Sequence, residues 1–116
     1  TDLQKAESFY KQKEFGACAN HLRKATEHFV HEFLPKDKHY NQKFEKLNLS
    51  QMINKSRALC RLSGFPPKVI SDLDLMRTHI FNPQSHYDVY KPLFHVELER
   101  AIDTLKRASV LAGISL

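Results

Sequence analysis

Glycine and proline are scarce in this chain: three Gly and five Pro in 116 residues, with no stretch rich in Gly, Ser or Pro. An all-β chain needs turn signals every 8–12 residues or about that, so the shortage argues for helices. Cysteine is scarce as well. Cys18 and Cys60 form no Cys-x-x-Cys pair and fall among apolar neighbours, so both are read as reduced core residues, because a free Cys packs as a small hydrophobe. No apolar run approaches the roughly 18 residues of a membrane span, and nothing resembles a signal peptide. The chain is therefore expected to be cytoplasmic, with no membrane partner. It also lacks a Gly-rich loop ending in Gly-Lys-Ser/Thr and a Gly-x-Gly-x-x-Gly after a strand, so alone it is not expected to hydrolyse nucleotides.

What is present fits one domain spanning residues 1–116, long enough at 41% apolar composition to bury a single core. A net charge of +5 attracts polyanions, since clustered Lys and Arg raise local affinity for phosphates. Acidic residues are interspersed almost everywhere, which leaves an ordinary charged surface and a nucleic-acid-facing patch both open. The chain starts with Thr1 directly in helical sequence, as a domain excised from a larger protein would, although processing would look the same.

Residues 2–14 carry Leu3, Ala6, Phe9 and Tyr10 at helical spacing, with Asp2 placed to complement the helix dipole. Phe15-Gly16 reads as a short break. A second helix then runs to Leu34, with Cys18, Leu22, Ala25, Phe29 and Phe33 as its apolar stripe and Pro35 beyond its end. Residues 35–48 mix charge with Tyr40, Phe44 and Leu47 without periodicity, which predicts a long loop containing at most a helical turn. Asn48 or Ser50 caps a third helix closing at Gly64, and Pro66-Pro67 opens a fourth. Asn82-Pro83 either stops that helix near Phe81 or restarts it with Asn82 as cap, making a kinked corner. After a linker over 86–92, a last helix places Leu93, Val96, Leu98, Ala101, Ile102, Leu105, Ala108 and Leu111 inward and stops at Gly113. The expectation is an all-α bundle of four to five helices.

Seven histidines raise the question of metal binding. His21, His28 and His31 share the second helix with Glu27 and Glu32, at spacings that bring them to one side. The order His28-x-x-His31-Glu32 is neither the zincin motif nor its inverted form, and no fourth ligand is signposted. No metal and no cofactor is expected, and a solvated helix face is the simpler reading. Ser85-His86 does not make a nucleophile and base, because helical neighbours point about 100° apart.

One constellation remains: Asn82-Pro83-Gln84-Ser85-His86, preceded by Arg77 and His79 and followed by Tyr87 and Asp88. The stretch FNPQSHYDVYKPLFHVELERAID resembles the closing part of HEPN-type domains, as found at the C-terminal end of large prokaryotic ATPases of the chromosome-segregation and phage-defence kind. ACANHLRKATEHFVHEFLP is similar to the first long HEPN helix, where an Arg and then a Glu correspond to Arg23 and Glu27. The two matches cover the second, fourth and fifth helices.

The resemblance implies a HEPN-like bundle, a homodimer in which two His-bearing corners face each other, and a module of a larger ATPase that acts on RNA. It further implies metal-independent ribonuclease chemistry, with His86 as general acid or base and an arginine neutralising the phosphate; imidazole titration near neutrality and bidentate guanidinium binding suit those roles. Asn82 and His86 match the Asn-x-x-x-His part of the family pattern. The arginine departs from it: Phe81 precedes Asn82, and the candidates are Arg77 upstream or Arg23 from the second helix. A degenerate, binding-only or structural site stays open beside a catalytic one of His86, Asn82 and Arg77.

Arg23, Lys24 and Glu27 are candidates for nucleic-acid contact, or else a salt-bridged surface worth a few tenths of a kcal/mol. The loop residues Lys36, Lys38, His39, Tyr40 and Lys43 combine phosphate contacts with aromatic stacking, or are merely solvated. A different class of function, a non-catalytic interaction or dimerisation domain, would use exposed apolar residues near Tyr87, Tyr90, Leu93 and Phe94.

Overall fold

Thr1 caps the first helix in the computed structural model, which describes residues 1–81 and 94–116. Its hydroxyl accepts from the Gln4 N–H at 3.2 Å while Gln4 Oε1 accepts from the Thr1 nitrogen at 3.1 Å, a capping box that satisfies donors at the start of α1 (Asp2–Lys11). The helix is shorter than residues 2–14. Its end is a Schellman arrangement: Glu14 N–H donates to the Phe9 carbonyl at 2.9 Å and Lys13 N–H to that of Tyr10 at 3.0 Å. Lys13 holds the left-handed position, φ 60°, which glycine usually takes.

The break therefore falls at residues 12–14, and Phe15 is already the first residue of α2 (Phe15–Phe33). Phe15 begins the helix because its ring packs beside Tyr10 and His95, with centroids 5.9 and 6.4 Å away. Gly16 is simply a first-turn residue, where an added Cβ would meet nothing within 4 Å. Cys18, Leu22, Ala25, Thr26, Phe29 and Val30 are all buried along α2, and this wide stripe makes it the central helix, packed on α1 and two later helices. Thr26 is tolerated inside because its hydroxyl donates to the Leu22 carbonyl at 2.8 Å. The helix stops at Leu34, whose extended ψ of 137° is what the following Pro35 demands.

Asn48 is the cap of α3 (Leu49–Ser63), closed by reciprocal bonds with Gln51 of 2.9 and 3.0 Å. Gly64 ends α3 at φ 73°, and Pro67 opens α4 (Pro67–His79) at its first position. The fourth helix stops at His79, with Ile80 and Phe81 buried beyond it. Asn82–His86, expected as a kinked corner, lies outside the described residues, as does Leu93. The last helix, α5 (Phe94–Ala112), buries Leu98, Ala101, Ile102, Leu105 and Ala108. Leu111, expected inward, is half exposed; at this end the inward line steps from Ala108 to Ala112 and Ile114, which pack on the core.

Among the described residues the chain is all-helical, five α-helices with no strand. Neighbouring helices pack as α1 on α2, α2 on α3 and α5, α3 on α4, and α4 and α1 on α5. One core results, centred on Leu22, Phe29, Ile53, Ile70, Leu73 and Leu98. Cys18 and Cys60 are unbridged and buried in it. No helix among the described residues is long and apolar enough to cross a membrane.

Candidate nucleic-acid interface

The segment between α2 and α3 is more organised than a solvated loop. After a 3₁₀ turn, Lys36–Lys38, His39 is 4% exposed. Its Nε2 lies 2.9 Å from the Leu34 carbonyl oxygen; a carbonyl only accepts, so Nε2 carries the proton. The His31 ring lies tilted beside it, with centroids 4.2 Å apart. His39, read from sequence as part of a basic contact surface, is instead an anchor, because it satisfies a carbonyl that the end of α2 leaves open. Leu47 is the second anchor: it is buried and its N–H donates to the His39 carbonyl at 2.9 Å.

Between the anchors the chain folds back on itself. Tyr40 and Lys46 form an isolated antiparallel bridge, which places their side chains on the same side of the loop. Asn41 organises the tip: its Oδ1 accepts from the Lys43 and Glu45 N–H groups at 2.8 and 3.0 Å. Its own N–H donates to the Glu45 carbonyl at 2.9 Å, and its carbonyl accepts from the Phe44 N–H at 3.0 Å. Asn at the first position of a turn suits this role. Phe44 then sits in the left-handed region at φ 62°, where short hairpin loops ordinarily use glycine. Its side chain is not buried in compensation; Phe44 is 88% exposed and Tyr40 48%.

The same segment carries Lys36, Lys38, Lys43 and Lys46, all exposed, with Asp37 and Glu45 as its acidic residues. None of the four lysines is ion-paired among the described residues, whereas Lys68 and Lys106 pair with Asp72 and Glu7. Lys24, His28 and His31, also exposed, fall at i, i+4 and i+7 on α2, so one cationic and imidazole stripe leads along that helix to the loop.

The other sequence candidates are placed differently. Arg23 is an exposed α2 residue whose Nη2 donates to Asn20 at 3.1 Å and whose Nε is 3.9 Å from Glu27, the surface pairing that their spacing allows. Arg77 donates from Nε to Asp74 Oδ1 at 3.0 Å, and Arg57 of α3 holds the other Asp74 oxygen at 2.7 Å. Arg77 is thus half of a two-arginine clamp between α3 and α4. Asn82, His86, Tyr87 and Tyr90 lie outside the described residues, while Phe94 packs partly buried on the core.

The three α2 histidines do not act together. His21 turns to α1, where Nδ1 is 2.9 Å from Asp2 Oδ1 and the ring stacks on Phe9 at 5.4 Å. This bond, above all, lowers the Asp2 carboxyl below its ordinary range, against the opposing effect of burial. Among the described residues no group of three or more His, Cys, Asp or Glu is placed to hold a metal ion.

Sequence reasoning placed Lys36, Lys38, Tyr40 and Lys43 in one surface but left Phe44 and Lys46 out. The signal for Phe44 was its setting, an aromatic residue in the polar run Asn41-Gln42-Lys43 and Glu45-Lys46 with no apolar periodicity to bury it. No family model, no curated protein and no solved structure matches this chain.

Proposed function

We propose that this chain is an RNA-binding helical module related to the HEPN domains that its sequence resembles, acting as an accessory part of a larger ATPase. The observation that carries the binding is the segment of residues 36–47, which holds Phe44 and Tyr40 exposed and carries four exposed lysines without an ion pair among the described residues. Lysine clusters bind phosphate whatever the base sequence, and exposed rings add stacking. Arg23, Lys24 and the α2 stripe extend the contact surface, with Glu27 restraining Arg23. In this reading the Asn82–His86 segment forms the kinked corner of the HEPN pattern, and two copies of it meet in a homodimer. Arg77 already serves Asp74, which favours binding without cleavage.

The test is a fluorescence titration of labelled RNA against the purified chain at several salt concentrations. With four lysines on phosphates the log–log salt slope is expected near –3, at roughly –0.7 per contact on a single strand. Replacing Lys36, Lys38, Lys43 and Lys46 by Ala flattens it; an unchanged slope would sink the assignment of the loop. Incubation in EDTA separates binding from catalysis: the intact chain and His86→Ala should show the same background cleavage, and faster cleavage by the intact chain would instead establish the ribonuclease.

A second reading, a protein-interaction domain, is favoured by Leu62 and Val110, which are 86% and 82% exposed near the C-terminal ends of α3 and α5. Light scattering of the chain beside Leu62→Asp and Val110→Asp tests it, since an apolar contact between copies would be lost in the variant whose side chain it uses.

A further inference from the structure

We infer that the tip of the 39–47 loop takes an unpaired base of a single-stranded nucleic acid, stacked on Phe44, with the flanking phosphates held by the loop lysines. This deepens the nucleic-acid reading and rests on it. Phe44 is the more protruding of the two rings of the loop: it is 88% exposed against 48% for Tyr40, in a backbone position where only an imposed turn would keep a bulky side chain. Both ends of the turn are tied down by His39 and Leu47, and Asn41 closes it from inside. The ring is therefore held in place before any ligand arrives, which reduces the ordering that binding requires.

The chemistry selects the class of ligand. In a duplex both faces of every base are already stacked, and the deep groove of an RNA helix excludes side chains, so one protruding ring finds no partner there. An unpaired base offers a free π-face within reach of a phosphate chain, and the lysines beside Phe44 supply the opposite charge. An anionic lipid surface would meet the same lysines, but insertion into a membrane needs a larger apolar face than Phe44 and a half-exposed Tyr40 among Asn41, Gln42, Lys43, Glu45 and Lys46. The Asn41 side-chain oxygen is not available to accept from a base edge, since it is occupied by the Lys43 and Glu45 N–H groups.

The experiment is fluorescence anisotropy with labelled oligouridine and oligoadenosine single strands and a labelled RNA duplex of equal length, using the intact chain, Phe44→Ala, Phe44→Leu and Phe44→Tyr. Phe44 is so exposed that none of these variants threatens the core, and circular dichroism checks this. Both single strands are expected to bind more tightly than the duplex. Alanine and leucine should weaken single-strand binding at least fivefold, roughly the low end of a base–aromatic stack, while tyrosine retains it and duplex binding stays unchanged. Equal binding of single strand and duplex, with no effect of Phe44→Ala, overturns the inference; the nucleic-acid reading then survives only if the lysine variants still lose affinity. No binding of any RNA at low salt overturns both. So does Phe44-dependent binding to phosphatidylserine vesicles without RNA binding, which would make the loop a membrane contact.

Discussion

Replacing Phe44 by glycine and by alanine separates the backbone of the loop from its ring. At φ 62° an L-residue brings Cβ close to the following carbonyl, at about 1–2 kcal/mol, and glycine escapes this. Glycine in turn adds about 0.5–1 kcal/mol of unfolded-chain entropy relative to alanine. The ring contributes little to either side, since Phe44 is 88% exposed and covering the remainder is worth about 0.6 kcal/mol at most. Phe44→Gly should therefore be more stable than Phe44→Ala by about 0.5–1 kcal/mol, the reverse of the usual order. For a chain of 116 residues that is a melting difference of roughly 2–5 °C, measurable by circular dichroism or calorimetry. Both variants should lose single-strand binding equally, because both lose the ring. If alanine is as stable as glycine, Phe44 is not held in a strained backbone and the pre-positioned ring is wrong.

Lys13→Gly should stabilise the fold by about 0.5–1 kcal/mol in a denaturant titration, for the same left-handed reason at φ 60°; Lys13→Ala should leave it nearly unchanged. Burial pushes the Cys18 thiol up to about 11 and raises that of Cys60, so Ellman's reagent at about pH 8 should label neither in the folded chain and both after guanidinium unfolding. Asp2, its carboxyl lowered from 3.8 chiefly by the His21 hydrogen bond, stabilises the fold above that pH. The benefit is lost as pH falls through the lowered folded value, so the stability gap between the chain and Asp2→Asn should close on acidification below 3.8.

Much of the helical frame was legible because its signals are local. Asn48 with Gln51 three residues on, Gly64 after the α3 stripe and Pro67 at the start of α4 each do chemically what their residue type is suited to do. The boundary between α1 and α2 was not. Gly16 drew the break toward itself, yet the left-handed turn was made by Lys13, because the bonds from Lys13 and Glu14 close α1 before Phe15 docks beside Tyr10. Leu111 failed for a related reason: periodicity gives the spacing of a stripe, and the contacts at the end of α5 decided that Ala112 and Ile114 continue it.

The loop shows why a site can be visible as composition and hidden as geometry. Its lysines and Tyr40 are plain in the sequence, but the burial of His39 depends on a carbonyl at Leu34 and a ring at His31, neither of which periodicity brings together. The hairpin-like turn was hidden by the absence of the glycine that would announce it. Two non-glycine residues, Lys13 and Phe44, occupy left-handed positions among the described residues. Lys13 has a structural reason, since its turn joins two packed helices and satisfies their end groups. Phe44 has none of that kind: the turn is already closed by Asn41, the side chain packs on almost nothing, and glycine would serve the backbone better. Where a residue breaks a local rule without a compensating contact inside the protein, the compensation is sought outside it, and in the proposed reading an exposed ring on a lysine-bearing loop finds it in a ligand with both a π-face and a phosphate.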